Sequence, residues 1–313
     1  MRALTYHRFG GLEILAIEEQ PMPTPGPKEV LVAVEAAAPN VIDGRVRSGM
    51  MGPLVNKRFP KVMGADLAGS VAVVGSDVSS LAVGDRVFGA IDPFKGGAMA
   101  QYAAVPAGAL ARIPDGMAIE TAAALPIAAS AALYAVRELG KTAPGDDVLI
   151  YGSSGGVGLF AVQIAKALGA RVTAVSGPSG LKASAEAGAD AVIDYRAGPV
   201  QLDRRFAVIA DFSGNFPFAT ARKVLTHNGR FIESSPTIPV FIGSMIGNLF
   251  RRQKHLMLQT TAKSADLAYL GGLVREGKLR VTIADRFSFD NAIEAYRVQE
   301  KGGTIGKIVV TMA

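Results

Sequence analysis

"VLIYGSSGGVGLFAVQIAKALGARVTAVS" occupies Val148–Ser176 and reads as strand, glycine turn, helix, strand. Val148–Tyr151 is an apolar run that enters "GSSGGVG" without a spacer. After the turn, Val157, Ala161, Ile164, Ala165 and Leu168 keep helical spacing. The start of such a helix offers free N–H groups and the positive end of the helix dipole, a place for a pyrophosphate. Glycines there let backbone approach phosphate and let helix pack on strand. The positions of a G-x-G-x-x-G fingerprint fall on Ser153, Gly155 and Gly158, so the match is partial. Placed inside a strand–helix–strand unit, it predicts a dinucleotide held by Ser153, Gly155, Gly156 and Val157.

The end of the second strand selects among dinucleotides. An acidic residue there accepts from a ribose 2′-OH and repels a 2′-phosphate. Here the strand ends in Ser176, which is neutral and can donate. Lys182 follows six residues later, and Tyr195 ends a third strand, "AVIDY". Each has a plain structural reading as well: a turn serine, a solvated lysine, a packing aromatic. Together they predict NADPH rather than NADH.

Composition bounds the rest. The 313 residues are 49% hydrophobic and 19% charged, a globular balance. There is no cysteine, which removes disulfides, thiolate zinc ligands and a cysteine nucleophile. The N-terminus has no signal pattern, and the longest apolar run, Ala122–Val136, is interrupted by Pro126. It is shorter than the ~20 residues a membrane span needs, so no transmembrane segment is expected and a reducing cytoplasm fits. The net charge of +6 reads first as a solvated basic surface.

Outward from the opening stretch, two textures divide the chain. Up to about residue 115 short β-branched runs, such as "EVLVAVEAAA" and "AGSVAVVGS", are punctuated by Gly and Pro, with one short helical turn near Asn40–Ser48. From Met117 Ala-rich helices alternate with apolar strands, which predicts βαβ units on a parallel sheet. The alternation fades after Thr237. Within the later part, Phe241–Gln259 combines apolar positions with a basic cluster, Arg251, Arg252, Lys254 and His255. It reads as a helix with a solvated face, with a lid, a cofactor phosphate contact or a membrane-surface patch as sharper readings. The fold class is α/β, a β-rich domain (1–122 and 261–313) interrupted by a doubly wound domain (123–260).

Several motifs in the same order carry a family resemblance: "APNVIDGRVRSG", "FPKVMGADLAGSVAVVGSDV", "GDRVFG", "GGAMAQYAAVPAGALARIP", the glycine turn and the terminal "GKIVV". With these the chain resembles the medium-chain dehydrogenase/reductase superfamily, in its zinc-free quinone oxidoreductase branch, zeta-crystallin-like. The resemblance implies a GroES-like β-barrel catalytic domain and a Rossmann NADPH-binding domain with the active site in a cleft between them. It implies hydride transfer from NADPH to a quinone, with reduction of an enone or 2-alkenal as the alternative. It also implies a homodimer, for which "GRFIESSPTIPV" would supply a sheet edge. A protein of another class, binding NADPH with little turnover and meeting RNA or acidic lipid through its basic surface, is a third reading. The chain has no RNA-binding aromatic motif, so no specific nucleic acid is expected.

By the same resemblance Asn40, Asp43 and Arg47 match an "N-x-x-D…R" motif beside the catalytic site. Asn40 would bond the acceptor oxygen or the nicotinamide, and Asp43 and Arg47 are catalytic candidates with it, or pair with each other as structure. Ser130 matches a nicotinamide contact. Ser176, Lys182 and Tyr195 match the 2′-phosphate pocket, and Ser234 and Ser235 the nicotinamide ribose. Zinc-containing relatives hold metal with a cysteine and a His-Glu pair, matched here by Asn40 and Ala65–Asp66, so no catalytic zinc is expected. Met50 and Met51 stand where many relatives carry a substrate-facing tyrosine.

Overall fold

The computed structural model describes residues 1–234, 238–259 and 261–312. In chain order the first elements are β1 (Arg2–Tyr6), β2 (Ala16–Glu19), β3 (Glu29–Ala38), α1 (Val41–Arg47), β4 (Lys61–Val62), β5 (Asp66–Val74), β6 (Arg86–Ala90), β7 (Tyr102–Pro106) and β8 (Leu110–Arg112). Helices α2 (Ile119–Ala123) and α3 (Pro126–Leu133) lead into the alternating region. That region runs β9 (Asp147–Tyr151), α4 (Gly156–Ala167), β10 (Arg171–Ser176), α5 (Leu181–Glu186), β11 (Ala191–Asp194), β12 (Phe206–Asp211), α6 (Phe218–Val224), β13 (Leu225–Glu233), α7 (Ile238–Phe250) and β14 (Lys254–Met257). The chain closes with α8 (Ser264–Arg275), β15 (Ile283–Ser288), α9 (Ala292–Lys301) and β16 (Lys307–Thr311).

These elements cluster into two compact units: Met1–Ser130 with Thr261–Glu276 and Val281–Ala313, and Ala131–Thr260 with Gly277–Arg280. The second border falls at the expected 260/261, whereas the first lies at 130/131 rather than 122/123 and residues 277–280 join the second unit; hydrogen bonds accompany both differences. The Ile127 N–H donates to Asp66 Oδ1 at 2.9 Å, which ties the start of α3 to the first unit. The Arg280 N–H donates to Gln163 Oε1 at 2.7 Å, and Gln163 Nε2 donates back to Arg280 O at 3.0 Å, which ties residues 277–280 to the second.

The first unit is built on β3, which pairs with β5, β7 and β16 in a seven-stranded sheet ordered β15-β16-β3-β5-β6-β8, with β7 against β3. A small sheet, β2-β1-β4, lies beside it in the same unit. Val30, Val32 and Val34 of β3 meet Leu67, Val71, Val87 and Val105 in a core that α9 closes with Tyr296. Burying each such side chain contributes about 1.5–3 kcal/mol.

The second unit is a six-stranded parallel sheet, β11-β10-β9-β12-β13-β14. Counted within the unit, that order is 3-2-1-4-5-6, with the direction of winding reversing between β9 and β12. Ligands of such sheets bind outside the carboxyl ends of the strands at the reversal. Val148, Leu149 and Ile150 of β9 are all fully buried, as expected of a central parallel strand covered on both faces.

Two expectations are corrected here. Phe241–Gln259 is not one helix: α7 ends at Phe250 and Lys254–Met257 becomes the sixth strand. Asn248 makes the join, accepting from the His255 N–H at 2.9 Å and donating to His255 O at 2.7 Å. Consequently β13 is flanked by β12 and β14, and the outer strand is β14 rather than "GRFIESSPTIPV", whose residues 235–237 lie outside the described residues.

The opening turn depends on one close approach. A Cβ on Gly158 would lie 2.2 Å from Gly152 O and 2.7 Å from Ser153 Cα. Both are backbone and cannot swing aside. Gly158→Ala is expected to destabilise the protein by about 3 kcal/mol, the upper range for overpacking, read as a lower urea-unfolding midpoint.

Candidate active site

Gly155 caps α4, and the N–H groups of Gly156, Val157 and Gly158 are the first of the helix, with no intrahelical acceptor. The first turn carries no acidic residue, so its positive end is not neutralised by the chain itself. Gly152 adopts φ +78, which turns the chain sharply out of β9. Ser153 faces the other way. Its N–H and Oγ both donate to Val175 O, at 3.0 and 3.1 Å, and Oγ also meets Ser184 Oγ at 2.8 Å. Its side chain is fully buried. Ser153 therefore holds the turn, and the expectation that it offers a donor to a cofactor is corrected.

Sequence reasoning missed the next component, the strand ends at the winding reversal. Asp211 ends β12 opposite Tyr151 of β9. Its buried carboxylate accepts from the N–H groups of Ser213, Gly214 and Phe216 and from Ser213 Oγ, at 2.7–3.1 Å. That shapes residues 212–216 into a compact loop beside the glycine turn. The Ser234 N–H donates to Asp211 O at 3.1 Å, so the ends of β12 and β13 stay together. Ser235 lies outside the described residues. Tyr151 stacks on Phe216 with centroids 5.0 Å apart and on Tyr195 at 6.5 Å. Burial raises the Tyr151 phenol above its ordinary range, and the Asp211 carboxylate adds to it. The visible signal was the aspartate after "FAVIA", which a strand reading alone leaves without a role.

At the end of β10 the expected residues gather, with one exception. A Cβ on Gly180 would stand 2.5 Å from Ser154 Oγ and 3.1 Å from Ser176 Oγ, so two hydroxyls converge on this glycine. A Cβ on Gly177 would stand 3.4 Å from the Tyr195 hydroxyl. Ser154 thus joins Ser176 and Tyr195 in one cradle. Lys182 is 87% exposed and lies 3.7 Å from Glu186, one turn along α5. Arg196 is the cation on Tyr195, its guanidinium 5.8 Å from the ring centroid. Ser154 and Arg196 were not identified from sequence, because neither falls on a fingerprint position.

In the first unit the "N-x-x-D…R" motif is buried. Asn40 Nδ2 donates to Ala38 O at 3.2 Å and to Asp66 Oδ2 at 2.9 Å, while Oδ1 accepts from Lys307 Nζ at 2.6 Å. Both amide hydrogens are used, so the expectation that Asn40 donates to an acceptor is corrected. Lys307 also donates to Pro39 O at 3.1 Å and lies 3.6 Å from Asp66 Oδ2. Asp43 accepts from the Asn40 N–H at 2.9 Å and from Tyr296 Oη at 3.0 Å. Arg47 pairs with Glu300 at 2.9 and 3.0 Å rather than with Asp43, a second correction. Its Nε and Nη1 are buried without a partner. Ser130 Oγ is likewise buried and unpartnered. Met50, at the tip of the loop after α1, is exposed.

The metal-site positions do not suit zinc. Asn40, Ala65 and Asp66 offer one carboxylate among them, and the Lys307 ammonium already faces it. Among the described residues no group of three or more His, Cys, Asp or Glu could hold a metal ion. Burial dominates the ionisation of this network: it raises Asp66 and lowers Lys307, each opposed by the other's charge. Asp43 is pushed up to about 7 from an ordinary 3.8, chiefly by burial, with the Asp66 charge adding and the Asn40 N–H opposing.

The sign of the Asp43 shift fixes a pH dependence. A carboxyl whose folded pKa is raised stabilises the fold fully below its ordinary value, and that stability is lost as pH rises through the folded value. Relative to Asp43→Asn, the wild-type protein is expected to lose up to ~1.4 kcal/mol per pH unit between the ordinary 3.8 and about 7, then level off. Unfolding curves of both proteins across that range check the slope.

Comparison with known proteins agrees with this architecture. Residues 26–115 match the family described as alcohol dehydrogenase GroES-like domain, and residues 187–310 match zinc-binding dehydrogenase. The chain is 33% identical to quinone-oxidoreductase QR1, chloroplastic, of Triphysaria versicolor, over 99% of this chain and 98% of that one. Among solved structures, the quinone oxidoreductase from Coxiella burnetii superposes with TM-score 0.92 at 27% identity, covering 100% of this chain and 99% of that one. The mycobacterial protein Rv1454c complexed with NADPH superposes with TM-score 0.83 at 26% identity, covering 99% of this chain and 100% of that one.

Proposed function

The chain belongs to the medium-chain dehydrogenase/reductase superfamily, in its zeta-crystallin-like quinone oxidoreductase branch, and from that premise we propose that it transfers a hydride from NADPH to a quinone without a catalytic metal. The observation that carries the cofactor choice is the neutral end of β10, where Ser154, Ser176 and Tyr195 hydroxyls surround Gly177 and Gly180. An acidic residue in that place would repel a 2′-phosphate. The chemistry a reduced nicotinamide supplies when bound is a hydride from its C4 position.

The chain's own residues then have these parts. The N–H groups of Gly156, Val157 and Gly158, beside Gly155, hold the pyrophosphate. Ser154 and Tyr195 hold the 2′-phosphate, Ser176, buried with its hydroxyl donating to Gly177 O at 3.2 Å, keeps the end of β10 neutral, and Arg196 and the exposed ammonium of Lys182 add positive charge. Ser130, whose hydroxyl has no partner inside the protein, donates toward the nicotinamide, and Ser234 stands by its ribose. Asn40, Asp43 and Arg47 are positioning residues: the bonds of Asn40 and Asp43 fix the turn from β3 into α1, and Arg47 ties the end of α1 to Glu300 of α9. A quinone is already electrophilic and spreads incoming charge onto its oxygens, so no Lewis acid is required to polarise it. The balancing proton comes from water. A cysteine-free chain suits a reducing compartment such as the cytoplasm.

Steady-state turnover with NADPH and a fixed panel of acceptors tests the reaction class. Fast oxidation of NADPH by a benzoquinone, with a 2-alkenal at least tenfold slower in kcat/KM, is the expected result. Turnover of the alkenal alone would make the protein an enone reductase, and tight NADPH binding with neither acceptor reduced would make it a binding protein.

A further inference from the structure

Of the hydroxyls in the cradle, that of Tyr195 sits on the most open residue. Tyr195 directly follows β11, an outer strand of the six-stranded sheet that pairs with β10. Its backbone is fixed, since its N–H donates to Ser176 O at 3.1 Å. Its side chain is not enclosed: the residue is 42% exposed. An exposed side chain changes rotamer within nanoseconds unless packing stops it.

That packing comes as a row of rings. Tyr195 stacks on Tyr151 with ring planes 28° apart, and Tyr151 stacks on Phe216 with planes 23° apart. The row runs from the interior outward. Phe216 is 7% exposed and belongs to the core of the second unit with Leu149, Val175 and Ile209. Tyr151 packs against that core from the end of β9, and Tyr195 is outermost. The inner members are pinned by their backbones. The Phe216 N–H donates to Asp211 Oδ2 at 2.9 Å, and the Phe212 N–H to Tyr151 O at 2.9 Å. Arg196 also meets the Tyr195 ring, 5.8 Å from its centroid, but it is an exposed side chain with many rotamers and follows the ring rather than fixing it.

We propose, resting on the reading of the cradle as the 2′-phosphate site, that Tyr151 is its positioning residue and a determinant of cofactor specificity. The Tyr151 ring holds the Tyr195 ring in place, so that the hydroxyl stands beside Gly177 before any ligand arrives. A side chain ordered in advance loses no freedom on binding, whereas a free one costs about three- to tenfold in affinity. The cost falls on ligands that carry a 2′-phosphate, the group the hydroxyl meets. Ring faces make the stack, so the Tyr151 hydroxyl has no part in it. Selectivity for NADPH thus depends on a residue that touches no phosphate.

The test is calorimetric titration of the full chain with 2′,5′-ADP and with 5′-AMP, which differ only in the 2′-phosphate. The wild-type protein is expected to prefer 2′,5′-ADP. Tyr151→Leu is expected to lower the ratio of the two affinities about three- to tenfold, and Tyr151→Phe to keep the wild-type ratio. Phe216→Leu shortens the row at its inner end and is expected to lower the ratio in the same direction; it carries the test where Tyr151→Leu unfolds. General damage weakens both ligands together and leaves the ratio alone. Tyr195→Phe, which removes the hydroxyl itself, separates the proposal from the reading beneath it. Loss of the preference in Tyr195→Phe with a wild-type ratio in Tyr151→Leu overturns the proposal and leaves the cradle standing. A Tyr151→Phe variant that behaves like Tyr151→Leu overturns it as well, since ring packing would not be the cause. Equal affinities in the wild-type protein, or a wild-type ratio in Tyr195→Phe, overturn the cradle reading and the proposal with it.

Discussion

Replacing Lys307 by methionine is expected to cost about 3–5 kcal/mol, the range for breaking a buried ion pair from one side. The ammonium is nearly inaccessible and has Asn40 Oδ1 at 2.6 Å, Pro39 O at 3.1 Å and the fully buried Asp66 carboxylate at 3.6 Å around it. Methionine has similar bulk and removes only the charge and its donors. Asp66 would then keep the Asn40 amide and the Ile127 N–H at 2.9 Å each, too little to offset its lost hydration. The result is read as the shift of the urea-unfolding transition followed by circular dichroism. Adding Asp66→Asn to Lys307→Met is expected to recover part of the loss, because the isolated charge is gone. A single variant as stable as wild type would show that this network is solvated and that Lys307 does not organise the turn into α1.

The second large effect is on cofactor choice. Ser176→Asp is expected to lower kcat/KM for NADPH by about 100-fold, roughly 3 kcal/mol, and to raise it for NADH. An aspartate at the end of β10 would put a carboxylate among the Ser154 and Tyr195 hydroxyls, where the reading places the 2′-phosphate. It would repel that group and accept from a free 2′-OH instead. The comparison of both cofactors in one variant separates this from general damage. Damage lowers both values, whereas the electrostatic account moves them in opposite directions.

How far the sequence carried these readings depends on what kind of signal each element left. The β9–α4–β10 unit was legible because apolar period and glycine spacing are both local, and the strands fall where those periods place them. The sixth strand was not. Lys254–Met257 is four residues long and follows a helix whose apolar residues are exposed, so neither a buried alternation nor an amphipathic period marks the change. Asn248, which makes the join, looks like any helical polar residue. The buried network of the first unit was hidden for another reason: Asp66, Lys307 and Tyr296 come together across more than 200 residues. Motif matching found Asn40, Asp43 and Arg47 but could not say which donors were already used. Arg47 shows the point, since its partner Glu300 sits 253 positions away. At the cofactor cradle, fingerprint logic named Ser153, whose polar atoms point inward, and passed over Ser154, which faces Gly180. A one-residue offset on a turn reverses where a side chain points, and only coordinates resolve it.

We propose that the neutral cradle at the end of β10 commits the protein to NADPH as hydride donor for a quinone. The measurement that meets it most directly is the loss of reduced-nicotinamide absorbance by the purified wild-type protein with a benzoquinone, NADPH against NADH. The expected kcat/KM for NADPH is at least about 100-fold above that for NADH. Equal rates with the two cofactors, or no oxidation of either, would contradict it.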